Sequence, residues 1–133
     1  IREVEKFFKT QIISKSVLVG DLNIAPREND VWNHTQLLKV VSHTPIEVES
    51  LSNLANSGPW IDIFGRRPLS EKLFSWWSYR SRDWKMSNKG RRLDHIWITA
   101  DLLDQLGNYY ILEEIRGWTR PSDHAPVVAE LIL

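Results

Sequence analysis

Ser16-Val17-Leu18-Val19-Gly20-Asp21-Leu22-Asn23-Ile24-Ala25-Pro26 is a short apolar, β-branched run that stops at Gly-Asp. That is the profile of a buried strand with an acid at its end. A related signature stands in Ser122-Asp123-His124-Ala125-Pro126-Val127, where an acid and an imidazole precede another apolar run. Between the two lies Arg92-Leu93-Asp94-His95. A sheet built from these segments would present Asp, Asn and His together at its edge.

The pattern extends outward from there. Ile1, Val4, Phe8 and Ile12 recur at helical spacing, so the chain reads as beginning inside an amphipathic helix and as cut from something longer. Thr35 to Val41 is a candidate short helix. Thr44-Pro45-Ile46-Glu47 predicts a firm helix start: Thr44 caps, Pro45 suits the first helical position and Glu47 closes a capping box. Gly58-Pro59 ends that helix, and Trp60 to Phe64 is apolar without a clear period. The aromatic run Phe74-Ser75-Trp76-Trp77-Ser78-Tyr79 predicts a strand, and Asn88-Lys89-Gly90 turns it toward a second, alternating strand over Leu93–Ile98. Ala100 to Leu106 predicts a brief helix, and Tyr109–Ile115 and Val127–Leu133 two more strands. The sum is about four strands and three helices, an α/β domain with one sheet covered by helices.

Composition sets the bounds. A chain of 133 residues, 42% hydrophobic and 26% charged, is one ordinary globular domain. The absence of cysteine excludes disulfides and thiolate metal sites. No apolar run is long enough to span a bilayer and no leader opens the chain, so cytoplasmic residence without a membrane partner is the default expectation. Net charge is zero, yet Arg80, Arg82, Lys85, Lys89, Arg91 and Arg92 crowd one segment against Asp83 alone. By itself that segment could be a solvated basic loop, but several of the seven tryptophans flank it.

Asp, Asn and His at strand ends beside Trp and Arg point to metal-assisted attack on a phosphate ester, with nucleic acid as substrate. Asp21 could orient or deprotonate water or help hold a divalent metal; its plain alternative is a turn cap. Asn23 would point the same way if the backbone stays extended, and its amide could donate to a phosphoryl oxygen without added negative charge; alone it would be a turn former. Asp123 suits magnesium, which prefers oxygen ligands. His124 is left for phosphate or water, with Asp94 the candidate to steady its other ring nitrogen. Asp94 could instead pair with Arg91 or Arg92. His34, His43 and His95 read as structural or surface residues. Trp76 and Trp77 must face opposite ways on a strand, so one packs inward while the other could meet DNA. Arg80 and Arg82 could contact its phosphates or wedge into a groove.

At these residues the chain resembles the exonuclease III family of AP endonucleases, within the endonuclease–exonuclease–phosphatase superfamily. The matching stretches are GDLNIAPRENDVW at 20–32, FSWWSYRSRDW at 74–84, GRRLDHIW at 90–97 and PSDHAPVVAEL at 121–131. The resemblance implies a four-layer α/β sandwich and Mg2+-dependent cleavage of duplex DNA at abasic sites and from 3′ ends, with Mn2+ as the alternative metal. It makes Asp21, Asn23, Asp94 and His124 the catalytic group. Asp21, Asn23 and Asp123 become the metal-facing set, and Trp76, Trp77, Arg80 and Arg82 the DNA contacts. Trp76 and Trp77 would line the pocket for a flipped-out abasic sugar. Whether Asp21 or His124 takes the proton from water is left open.

What the resemblance does not find here is as telling. Family members are about twice this length, and their amino-terminal half carries an Asn, a metal-binding Glu in a Q-E-T-K-like segment and a Tyr. None of those motifs occurs in this chain. Residues 1–133 are therefore expected to be the carboxy-terminal half of the domain, one of two sheets that normally pack face to face. Such a half would expose apolar surface, awaiting the amino-terminal half or a second copy. A non-catalytic DNA-binding or self-associating fragment is the alternative function. A phosphatase for sugar or lipid phosphates ranks last, because small phosphates need no Trp-Trp wall.

Overall fold

The computed structural model describes residues 1–133. Strand β1 (Val17–Asp21) forms where the β-branched run predicts it, but as a largely exposed edge strand and not the buried one expected. It pairs antiparallel with β3 (Asp94–Thr99), whose other edge carries the short β2 (Trp60–Asp62). Strand β3 is therefore the centre of a three-stranded sheet, and its residues from His95 to Thr99 are all buried. A separate antiparallel pair, β4 (Leu106–Ile111) and β5 (Val127–Leu131), completes the strands. The expected single sheet is thus split into two ladders.

Helix α1 (Arg2–Thr10) and helix α3 (Pro45–Asn56) cover one face of the larger sheet. Alternation along the strands sends Leu18 and Trp97, which are cross-strand partners, into a cluster with Phe8, Ile24, Leu51 and Leu54. The helix α3 start is the predicted one: the Thr44–Glu47 capping box forms, with Pro45 in the first turn. Burial works to raise the Glu47 carboxyl, but hydrogen bonds from Thr44 and Ser42 outweigh it and lower its pKa. Helix α2 (His34–Leu37) is shorter than expected, starting at an Asn33 cap that accepts from the Gln36 amide. In α1 only Phe8 is buried, against Trp60, and Ile12 lies beyond the helix in solvent. The periodic stripe at the start of the chain is mostly uncovered.

The opposite sheet face carries Ile96 and Ile98, which join Ile63, Phe64 and Leu102 and are flanked by residues of β4 and β5. Their cross-strand neighbours Val19 and Val17 have no such cover: Val19 is 67% exposed and Val17 44%. Strand β1 is also the open edge of its sheet. No helix is long and apolar enough to cross a membrane.

The aromatic run 74–79 is not a strand. The amides of Ser75 and Trp76 both donate to the Arg91 carbonyl, a doubling that a regular ladder cannot continue. Trp76 makes isolated bridges to Arg91 on one side and His124 on the other. Gly90 is needed for this crossing, since a Cβ there would come within 2.6 Å of the Phe74 ring. Helix α4 (Trp84–Ser87) follows and ends at Asn88, whose left-handed backbone makes the predicted turn. Residues 100–105 are a 3-10 helix rather than an α-helix.

Candidate active site

The β1–β3 register places Asp21 directly opposite Asp94. Like charges facing across a strand pair repel, so this pairing is one that packing alone would avoid. His124 resolves it by coming between them. Its Nδ1 lies 2.8 Å from Asp94 Oδ2, and its Nε2 lies 3.9 Å from Asp21 Oδ2. A carboxylate only accepts, so the first contact fixes the proton on Nδ1 and turns Nε2 toward Asp21. His124 is held by its own turn, its amide donating to Ser122 Oγ, and by the bridge to Trp76. Asp94 is positioned by Ser75, whose fully buried hydroxyl accepts from the amides of both Leu93 and Asp94. The side chains of Asp21, His124 and Asp94 remain 37%, 30% and 17% exposed, so solvent and a ligand reach them.

Asn23 meets Asp21 by a different route from the expected one. Its backbone is left-handed, with φ 55°, so the chain turns sharply after β1 instead of running on extended. The Asn23 amide donates to Asp21 Oδ1 at 2.9 Å, and Nδ2 donates to Oδ2 at 3.2 Å. Asparagine tolerates this conformation better than most residues, which explains its place in the turn as well as its chemistry.

A second charged array lies behind the first, with Asp30, Arg92 and His95 buried and Asp62 part-exposed at its edge. Arg92 is 1% exposed and bridges two acids: Nε and Nη2 reach Asp30 at 2.7 and 2.8 Å, and Nη1 and Nη2 reach Asp62 at 3.1 and 2.8 Å. Arg92 also donates to His95 Nδ1, so His95 carries its proton on Nε2 and donates to the Ile24 carbonyl at 2.8 Å. This ties the loop of Asn23 to the core. Burial works to raise the Asp62 carboxyl, but the Arg92 guanidinium, which donates to both its oxygens, outweighs it and holds the group well below the carboxylate range. For Arg92, burial works against the charge, yet Asp62 and Asp30 raise its pKa above the ordinary value.

The predicted residues sort as follows. Asp21, Asp94 and His124 converge, each offering a ligand atom within 4.8 Å of the others. Asn23 joins them at the rim. Asp123 does not: its Oδ2 accepts from Trp76 Nε1 at 3.0 Å, outside the cluster. Trp76 is half-buried beside the site. Trp77 is 1% exposed, with its Nε1 on Asn88, and packs with Phe74 and Ala125. Trp77 as a DNA contact is therefore corrected to a core residue that no duplex can touch. Arg80 and Arg82 are exposed, whereas Arg92 belongs to the core rather than to a solvated basic loop. Sequence reasoning missed Ser75 and the Asp30–Arg92–Asp62–His95 array, because, Arg92–His95 apart, their partners lie 18 to 71 positions away.

An oxygen-rich set with one imidazole fits a hard divalent cation, and the free Oδ1 of Asn23 adds a neutral oxygen at its edge. Trp76, Arg91 and Leu93 wall a cavity of about 600 Å³ that opens beside Asn23. Acids, an imidazole and an adjoining cavity walled by an indole are the groups that phosphoester chemistry draws on.

Residues 7–124 match the model of the Endonuclease/Exonuclease/phosphatase family. The chain belongs to that family. Exodeoxyribonuclease III of Haemophilus influenzae is 32% identical over 120 residues, which cover 86% of this chain and 45% of that protein. An exodeoxyribonuclease of Bacillus subtilis is 33% identical over 120 residues, covering 88% of this chain and 44% of that protein. An AP endonuclease from Archaeoglobus fulgidus superposes with a TM-score of 0.87 at 23% identity, over 99% of this chain and 53% of that one. The chain spans about half the length of these relatives, and within the family it is similar to the exonuclease III type.

Proposed function

We propose that the protein is a DNA-repair nuclease of the exodeoxyribonuclease III type, which hydrolyses phosphodiesters in duplex DNA at abasic sites and from 3′ ends. The observation that carries this is the meeting of Asp21, Asp94 and His124 with atoms to spare. Asp94 holds the imidazole so that Nε2 faces the phosphoryl oxygen. Asp21, the most exposed of the three, orients the attacking water and takes its proton. The Asn23 amide lies at the same rim, where it can stabilise charge developing on the phosphoryl group. Mg2+ held by Asp21 with Asn23 beside it, or Mn2+ in its place, would neutralise negative charge on the phosphate. Asp123 would reach it only by giving up the Trp76 hydrogen bond. Trp76, Arg80 and Arg82 contact the DNA.

The 133 residues supply only part of this site. They hold no Q-E-T-K-like segment, and the uncovered Val17 and Val19 on the open edge of the sheet support a second sheet packing there. Incision of a synthetic abasic duplex with Mg2+ tests both statements. The 133-residue chain should cut little, and a longer form with the relatives' amino-terminal half should cut well. Robust cutting by the short chain would show that no second half is needed. Failure of both forms would leave the alternative, a DNA-binding or self-associating fragment without catalysis.

A further inference from the structure

Trp76 and Arg91 face two ways. On one side they wall the cavity beside Asn23, and on the other they open onto a separate groove of about 460 Å³. That groove is lined by Trp32, Arg80, Lys89 and two serines in addition to Trp76 and Arg91, with no carboxylate among them. In a chain of zero net charge, three cations on one small concave surface are a marked local excess. Each indole already carries a cation: the Lys89 ammonium stands 4.9 Å from the Trp32 ring centre, and the Arg91 guanidinium 5.4 Å from that of Trp76. A flexible ammonium over an indole marks a ring face that is open and electron-rich.

The groove floor is rigid. Trp32 packs into two apolar clusters, its amide donates to the Gly90 carbonyl, and its carbonyl accepts from Lys72 Nζ at 2.9 Å. Arg91 is pinned by Nη1 to the Val41 carbonyl at 2.8 Å and to Ser42 Oγ at 2.6 Å, while its Nε is buried with no partner. The Lys89 and Arg80 side chains are exposed and free to move.

We propose that this groove binds an unpaired nucleotide of the DNA strand next to the scissile phosphate. Its base stacks on Trp32 in place of the Lys89 ammonium, and its phosphate is taken by Lys89 and Arg80. Stacking needs an exposed base face, which a paired base inside a duplex does not offer, so the groove selects frayed, overhanging or nicked ends. This rests on the nuclease reading above and extends the substrate past the site itself. Trp32, Lys89 and Arg91 carry it; none of the three is needed for the acid–imidazole cluster.

The test uses the longer form that incises abasic duplex, binding a blunt duplex and a duplex with a short unpaired 3′ end, each over a range of salt. Trp32→Leu should weaken binding to the unpaired end about tenfold and leave the blunt duplex nearly unchanged. Lys89→Ala, at an exposed position, should flatten the salt dependence for the unpaired end by roughly one phosphate contact. Equal losses on both duplexes, or wild-type binding by both variants, overturns the groove while leaving the nuclease reading intact. A wild-type protein that neither binds nor cuts DNA overturns the nuclease reading itself.

Discussion

Two charged arrays flank the start of β3, built from almost the same parts and put to opposite uses. The inner one, Asp30–Arg92–Asp62 with His95, has nearly every polar atom engaged, and Asp30, Arg92 and His95 are buried. The outer one, Asp21–His124–Asp94, has one contact between its charged members shorter than 3 Å, and its Asp21 carboxylate, though held by Asn23, stays more than a third exposed. Neighbours in sequence divide between them: Arg92 and His95 turn inward and Asp94 outward. A saturated ionic network fixes the chain, and an unsaturated one has atoms left for a ligand.

The sharpest way to break the comparison is to damage each array and watch different quantities. In the longer form, His124→Ala or Asp21→Asn should lower abasic-site incision by about three orders of magnitude, with the melting temperature close to wild type. Arg92→Met should do the reverse. It leaves two buried carboxylates without their cation and should cost about 3–5 kcal/mol of folding stability, read by urea unfolding. If His124→Ala unfolds the protein, or Arg92→Met leaves stability untouched, the division between the arrays fails.

Smaller changes sharpen it. Asp94→Asn keeps the shape but loses the acceptor that fixes the His124 proton, so incision should fall about a hundredfold and the pH–rate profile should change shape. A purely structural Asp94 would change stability and leave the profile alone. The inner array also sets an acid limit. The folded Asp62 carboxyl lies below its unfolded value of about 3.9, so its stabilisation is present above that pH. It is lost as pH falls toward the folded value. Urea midpoints should therefore drop below about pH 4 in wild type, and more steeply than in Asp62→Asn. Least of all, Thr44→Ala removes one cap of α3 and should cost about 1 kcal/mol, with incision unchanged.

The outer array was legible in the sequence and most of the inner one was not. Asp21, Asp94 and His124 each stand at a visible transition from polar to apolar sequence, where strand ends are expected. His95 was read as structural, and it is, but nothing local announces that its partners are Arg92 and the Ile24 carbonyl. The aromatic run 74–79 misled because β propensity reflects a half-buried pleated surface, and here the chain crosses two neighbours at single points. Trp76 and Trp77 do pack into different clusters although the segment is not a strand, and this leaves Trp76 as the indole beside the site.

The sequence by itself determined the strand that ends in Asp21, the capped helix at Thr44 and the residue types from which a phosphoester site is made, because these depend on neighbours a few positions apart. Tertiary structure alone decided the register that sets Asp21 against Asp94, the burial of Arg92, the turning of Asp123 toward Trp76 and the cationic groove around Trp32. Each of those is a contact across many residues, set by which faces pack together rather than by any local preference.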